Sequence, residues 1–449
     1  MTRIAAGGWH RLHPASPLVR SGRATLGVLV LIGISATGEF GRSGSHLYDG
    51  ILATVIALGA VVNWLVTRWK LDGATLCIET GLLRRDSRQL PVARIQAVDV
   101  ARPFLARALG LAELRVRLAG SSHADGRLTY LTEQAALDLR ARLLATHHGL
   151  DPATPEPDEA VLASVPAGRL VGSVLASSAS LLLAVLVAEV VVLVTWPAVT
   201  AATGGMLVIW LLSLAPLVWR RVSTEYGFTV AQAPDGIRIR RGLLGTVAET
   251  VPQQRVQAVR MIEPLLWRPL GWCRLEIDVA GSPGRDSADG PGRMRKTLLP
   301  VGHPDLAWQL MRLVIGGAPP PLSKPPPRAR WKAPLSYHFL AAGHDGATAM
   351  GVTGRIRKVT TWLPLEKAQS VRMVTGPVQR HLSLATVHVD AAGRDVRAQF
   401  RDWPASRAAR LLEELAARSR EARRRVPERG VPPPAEPPAA PQVPVPPPR

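Results

Sequence analysis

Three groups of basic residues are the side chains best suited to bind a ligand. Each group lies beside a glycine that separates two alternating segments. The groups are Arg84, Arg85 and Arg88; Arg238, Arg240 and Arg241; and Arg355, Arg357 and Lys358. Each Lys or Arg near an anionic membrane surface contributes about 1 kcal/mol, so such a rim could hold phosphate head groups. The same charges could instead protect a solvated strand edge from unwanted pairing.

Two polar residues occur inside apolar segments, where such groups are costly and count as functional candidates. Glu189 lies in segment 171–196, and Asn63 lies near the inner end of segment 51–67. The helical rise places Glu189 about 10 Å from the outer end of its segment, within reach of the membrane interface. Asn63 suits contact between helices. If both lined a path between helices, the chain would be a small transporter or a lipid-handling protein.

Catalytic and metal-binding patterns are absent from the sequence. It has no glycine-rich phosphate loop, no HExxH, no GxSxG and no cluster of histidines and cysteines. Cys77 and Cys273 are far apart in apolar stretches, which is typical of small core residues in a reducing compartment. We therefore predict no enzymatic activity, no catalytic residues, no metal site and no cofactor.

The overall charge predicts an anionic neighbour. Lys and Arg number 55 against 34 Asp and Glu, a net charge of +21. Nucleic acid and anionic lipid are the two obvious partners for such a chain. Nucleic acid is disfavoured, because the charge is spread along the chain and no recognised nucleic-acid motif is present.

Four apolar segments are candidates to cross a membrane, for which roughly 20 residues are needed. They are 24–41, 51–67, 171–196 and 206–219. The first could instead be a signal peptide. Its long polar lead and the second apolar segment soon after it favour an uncleaved anchor.

Basic residues predict how these segments are oriented. Arg68 follows the second segment, Arg169 precedes the third and Arg220 follows the fourth, whereas the two short connecting loops carry little charge. Positive charge stays on the cytoplasmic side. We therefore expect a multi-pass protein of the cell inner membrane, integral to the bilayer, with two helical hairpins and both termini in the cytoplasm.

A repeated segment follows these hairpins. Aligned prolines, glycines and arginines define three copies: Pro91, Pro252 and Pro364; Gly81, Gly242 and Gly354; Arg107, Arg268 and Arg380. The glycine predicts a turn at positive φ between two strands. TLCIET and GIRIRR alternate with the period of a half-exposed strand. Helical spacing predicts a closing helix in each copy, at 133–147, 304–316 and 404–425.

The pattern GLL, PxxRIQAV and RxLGL resembles the bacterial pleckstrin-homology-like domain of paired-span membrane proteins. The resemblance implies a strongly bent antiparallel sheet whose C-terminal helix closes one open end. The expected fold class is therefore membrane α-helical hairpins plus α+β, mainly-β soluble domains, with the pleckstrin-homology-like unit in three copies. Each copy spans roughly 80 to 95 residues, a size that folds alone.

The expected organisation follows from these segments. It comprises a basic N-terminal segment with the first hairpin at 1–67, the first domain at 68–149, a linker at 150–169, the second hairpin at 170–220, the second domain at 221–317, a proline-rich linker at 318–333, the third domain at 334–425 and a disordered proline-rich tail at 426–449. The three domains are expected to act as binding or scaffolding modules. Their partner would be anionic lipid head groups, a protein within a larger complex, or a second copy of the chain.

Overall fold

The structure is a computed structural model. It describes residues 8–17, 19, 55, 58–59, 61–62, 64–73, 75–81, 85–118, 126–147, 159–195, 215–216, 218–233, 235–280, 295–392 and 396–425. Within these ranges, no helix is both long and apolar enough to cross a membrane. The predicted segment 24–41, most of 51–67 and most of 206–219, together with Asn63 and Arg84, lie outside the described residues.

The first domain consists of two sheets and a closing helix. Its strands are β1 (His10–Arg11), β2 (Arg68–Asp72), β3 (Thr75–Thr80), β4 (Asp86–Pro91), β5 (Ile95–Arg102), β6 (Leu111–Leu118) and β7 (Gly126–Thr132). Its helices are α1 (Phe104–Ala108) and α2 (Glu133–His147). Strands β1 to β4 form one sheet in chain order. A single 3-10 turn after Pro91 leads from that sheet into β5.

The second domain repeats this plan. Its strands are β8 (Ala160–Ser164), β9 (Thr229–Ala233), β10 (Gly236–Arg241), β11 (Thr246–Val251), β12 (Val256–Pro264), β13 (Cys273–Val279) and β14 (Arg295–Gly302). Its helices are α3 (Ala167–Thr195), which carries Glu189, and α4 (Pro304–Ile315). The 3-10 turn recurs after Pro252.

The third domain has six strands and two α-helices among its described residues. They are β15 (Ala341–His344), β16 (Thr348–Thr353), β17 (Arg357–Pro364), β18 (Ala368–Val374), α5 (Pro377–His381), β19 (Leu384–Ala391), β20 (Arg397–Pro404) and α6 (Ala405–Arg425). In α6, Ala408, Leu411 and Leu415 are buried against the sheet. The predicted closing helices are thus confirmed in all three copies.

The repeated glycines lie at turns, as predicted. The φ angles of Gly81, Gly242 and Gly354 are 101°, 120° and 94°. A Cβ on Gly242 would collide with the carbonyl oxygen of Gly245. Only glycine fits such a position without strain, because other residues rarely adopt this conformation.

Two sheets continue across the domain boundaries. The order β7-β6-β5-β11-β10-β9-β8 joins the first domain to the second, and β14-β13-β12-β17-β16-β15 joins the second to the third. At each junction, the strand that follows the 3-10 turn of one domain (β5 or β12) pairs with a strand of the next domain. That partner strand (β11 or β17) is the one that precedes the next domain's own 3-10 turn. The first pairing, β5 with β11, and the second, β12 with β17, are both antiparallel.

Both junctions have the same register. Val100 pairs with Ala248 at the first junction, and Met261 pairs with Thr360 at the second. These pairs occupy equivalent positions relative to the repeated prolines. The two junctions thus pair their strands at the same positions of the repeat, although the residues at those positions differ.

The cores are shared as well as the sheets. Met350 and Trp362 of the third domain belong to the hydrophobic cluster of the second, which also contains Trp267. Conversely, Ala258 of the second domain belongs to the cluster of the third. The second and third domains are therefore packed through common hydrophobic clusters, while the expectation that each unit folds alone stays a prediction.

Candidate functional site

A cleft of about 350 Å³ opens where the second and third domains meet. It is lined by Arg260 of β12, Gly351 and Thr353 of β16, Val359 and Thr361 of β17, and Arg397, Gln399 and Arg401 of β20. Among the described residues, three arginines and no carboxylate line this space. The cleft thus presents several guanidinium groups to a ligand.

The shared sheet places one wall of the cleft. Arg260 pairs with Thr361 across the junction, and Thr361 pairs with Gly351 on its other side. These three residues therefore form one row across β12, β17 and β16. Gly351 has to lack a side chain, because a Cβ there would come within 2.7 Å of the backbone nitrogen of Gln399.

Strand β20 forms the other wall. Alternate residues of a strand point to the same face, so Arg397, Gln399 and Arg401 line the cleft while Ala398 and Phe400 enter the core. The Nε of Arg401 donates a hydrogen bond to Oε1 of Gln399 at 2.6 Å. The tight approach at Gly351 brings these arginines opposite Arg260.

Two carboxylates lie close to the cleft and contact its arginines or their neighbours. The Nε of Arg260 lies 3.2 Å from a carboxylate oxygen of Asp278, and both side chains are buried. Asp390, which pairs with Arg397 in the β19–β20 ladder, accepts a hydrogen bond from Arg372 at 2.7 Å. Asp278 and Asp390, the two carboxylates closest to the cleft residues, are thus both engaged by arginines.

His388 lies beside this basic group, opposite Arg372 on one neighbouring strand and Gln399 on the other. Burial lowers the pKa of His388, and the charges of Arg372, Arg397 and Arg401 lower it further. Asp390 acts in the opposite direction. The lowered pKa favours the neutral imidazole at pH 7, so His388 adds little charge to the basic group.

The first junction has a carboxylate at the corresponding position. Glu249 stands three residues before Pro252, as Thr361 stands three before Pro364. Glu249 lies 3.3 Å from Nζ of Lys296. The charge of Lys296, opposed by burial, lowers the pKa of Glu249 to about 2. The first junction thus holds its own anion, whereas the second has a neutral threonine and open space.

The nine predicted basic residues do not form a single surface. Arg85, Arg88, Arg240, Arg355 and Arg357 are exposed, Arg241 and Lys358 are half-buried, and Arg84 lies outside the described residues. Arg238 departs from the expected rim, since its side chain is 2% exposed and is held in ion pairs by Glu159 and Asp235. Its guanidinium has no access to a head group.

Sequence reasoning did not identify the cleft residues. Arg397 and Arg401 come from a strand outside the three aligned segments, and Arg260, which recurs as Arg372 in the third copy, was not singled out as a binding residue. One signal was present: Arg260 replaces Asp99 of the first copy inside an apolar strand. A reversed charge in a buried strand indicates a change in its surroundings. Glu189, the other sequence candidate, is half-buried on α3 and does not belong to the cleft lining.

Comparison with known proteins identifies the repeated unit. Residues 24–147, 169–304 and 330–419 each match the bacterial PH domain, and together they make up most of the chain. The chain belongs to the bacterial PH domain family. Comparison with curated proteins gives no match. Three bacterial PH domains indicate a binding or scaffolding role.

Proposed function

We propose that this protein is a non-enzymatic scaffold of the inner membrane whose cleft between the second and third domains binds a phosphate-bearing anion. The observation that carries the proposal is the cleft lining, in which the described residues include Arg260, Arg397 and Arg401 and no carboxylate. Hydrogen bonds from arginine to phosphate are charge-assisted and frequently bidentate, so they favour this class of ligand.

Membrane attachment is part of the proposal and is supported by sequence. The four apolar segments and the basic residues that flank them support two helical hairpins, with the three domains on the cytoplasmic side. The net charge of +21 supports an anionic surface as a neighbour. A lipid head group and a soluble phosphate compound offer the cleft the same chemistry.

The test compares the double variant Arg397→Gln, Arg401→Gln with the wild-type full chain in neutral detergent. The matched control is Arg410→Gln, Arg420→Gln, which removes the same charge from exposed positions of α6. One arm titrates inorganic phosphate by calorimetry. The other measures co-sedimentation with vesicles of phosphatidylglycerol and phosphatidylcholine, against phosphatidylcholine alone.

We expect the cleft variant to bind roughly tenfold to thirtyfold more weakly, because each arginine contributes about 1 kcal/mol at an anionic surface. The control should bind as the wild type does. Loss in both arms indicates that free phosphate suffices, and loss only with vesicles identifies a lipid. Equal weakening in the cleft and control variants would show that binding depends on total charge, and the cleft would then not be the site.

A further inference from the structure

The strand pairing that joins the domains has an open end in the third domain. Strands β5 and β12 each pair with a strand of the following domain. Strand β18 has the equivalent position in the third copy, and in the described part of the chain it pairs with β19 alone. Met373 and Val374 on β18 are each 41% exposed, whereas their equivalents Met261 and Ile262 are 2% and 3% exposed. The edge is thus apolar where the other two copies bury it.

A repeated arginine marks the same open end. Nη1 of Arg107 donates to the carbonyl oxygen of Leu243 at 2.7 Å, and Nη2 of Arg268 donates to that of Arg355 at 2.6 Å. Both acceptors directly follow the glycine turn of the next domain. Arg380 holds the equivalent position in the third copy and is exposed. Among the described residues, the third domain therefore carries the same arginine beside an edge that pairs with no strand of another domain.

The first domain has the complementary edge. Strand β4 is the equivalent of β11 and β17, and among the described residues it pairs with β3 alone. Its residues 86–89 are exposed, whereas Thr250 and Trp362, the equivalents of Gln89, are buried. Within the described part of the chain, β4 of the first domain and β18 of the third domain are thus the two unpaired counterparts of the strands that join at each junction.

We propose that copies of this chain assemble head to tail, with β18 of one copy paired antiparallel to β4 of the next. The register common to both existing junctions places Met373 opposite Ser87 and Val374 opposite Asp86. Arg380 then lies on the side of Gly81, as Arg107 and Arg268 lie on the side of Gly242 and Gly354. Because the two edges differ, the contact is heterologous, and repeated addition gives a ring or an open filament.

At the new junction two arginines face each other, and each forms an ion pair with a carboxylate of its own copy. The register places Arg372 opposite Arg88. Each arginine is already engaged, Arg372 with Asp390 at 2.7 Å and Arg88 with Asp86 at 3.1 Å. Charged edge residues prevent indiscriminate pairing. Salt should screen the residual repulsion between the arginines, so assembly should strengthen as ionic strength rises.

The chain's own tail is a poor occupant of the β18 edge. Residues 426–449 are rich in proline, from PPPAEPPAAP to PVPPPR. Proline has no backbone N–H and cannot complete a strand ladder. Strand β4 of another copy has no such restriction, since proline occurs in it only as its last residue.

Cysteine cross-linking of the full chain in detergent tests the register. Chains carrying only Ser87→Cys are mixed with chains carrying only Met373→Cys, and are then oxidised gently. Both native cysteines are buried, so they do not compete. The control pairs Ser87→Cys with Val371→Cys, two residues along the strand and about 7 Å away.

We expect a covalent dimer of unlike chains from the first mixture and several-fold less from the control. Adding Arg380→Ala should reduce the yield. Chains with both Ser87→Cys and Met373→Cys should give a ladder of larger species. Equal yields from both mixtures, no dimer, or a link only within one chain would overturn the proposal.

Sedimentation without cysteines provides a second measurement. Met373→Lys and Val374→Lys place charge on the β18 edge, whereas Val378→Lys changes an equally apolar exposed residue in α5. The edge variants should sediment as single chains at concentrations where the wild type and Val378→Lys associate. If all three variants associate like the wild type, pairing through β18 is wrong.

Discussion

Val259 of the second domain and Trp362 of the third lie opposite each other on β12 and β17, and both side chains are fully buried. Trp362 is part of the third domain, but its side chain belongs to the hydrophobic cluster of the second domain. Replacing it should therefore damage two domains at once. Trp362→Ala is expected to cost about 3–5 kcal/mol, as large-to-small changes of buried aromatics do.

Denaturant unfolding, followed by hydrogen exchange of the second and third domains, checks this expectation. Both domains should lose protection together in Trp362→Ala. Trp331→Ala is the matched control, because Trp331 is largely exposed. Loss of protection confined to the third domain would contradict a shared core.

The first junction should make stability depend on acid pH through Glu249. Lys296 holds the pKa of Glu249 at about 2, below its ordinary value of 4.5. A lowered carboxyl pKa stabilises the fold above pH 4.5, and this contribution is lost as the pH falls towards 2. Glu249→Gln should therefore lower the free energy of unfolding at pH 7 by on the order of 1–3 kcal/mol.

Urea unfolding of wild type and Glu249→Gln between pH 7 and pH 2 measures this contribution. The two curves should converge as the acid limit is approached. Burial raises the pKa of nearby Asp99, and the charge of Glu249 raises it too, so the control is Glu414→Gln on the exposed face of α6. A constant difference between wild type and Glu249→Gln at all pH values would contradict the assignment.

Cys273 should be chemically silent in the folded chain. Burial raises the pKa of its thiol to about 12, and the thiolate is the reactive form. Cys77 is also buried. Iodoacetamide at pH 8 should label neither residue in native protein and both after denaturation. Native labelling of Cys273 would show that the core of the second domain opens.

Local pattern predicted the repeated unit well. TLCIET and GIRIRR appear as β3 and β10 with the same bounds, and the closing helices match within one residue. These features depend on side-chain alternation and on glycine at positive φ, which are readable within one copy.

The junctions could not be predicted in the same way. Pairing of β5 with β11 and of β12 with β17 joins residues more than 90 positions apart, and alternation does not specify the partner of a strand edge. The basic cleft depends on that pairing, because Arg260 meets Arg397 and Arg401 only after the sheets join. Arg107 and Arg268 were recognised in the sequence as repeated residues. Their hydrogen-bond acceptors, the carbonyl oxygens of Leu243 and Arg355, lie in the following copy and could not be identified from it.

Arg268 gives the last prediction, because the same position in the third copy supplies its control. Its guanidinium donates to the carbonyl of Arg355 and lies 4.9 Å from the ring centre of Phe339. Arg268→Ala should cost about 1–2 kcal/mol and raise hydrogen exchange in β17. Arg380→Ala in dilute protein should change neither quantity, since β18 pairs with no strand of another domain among the described residues. If both variants destabilise the fold equally, the arginine supports its own domain and does not clamp the next one.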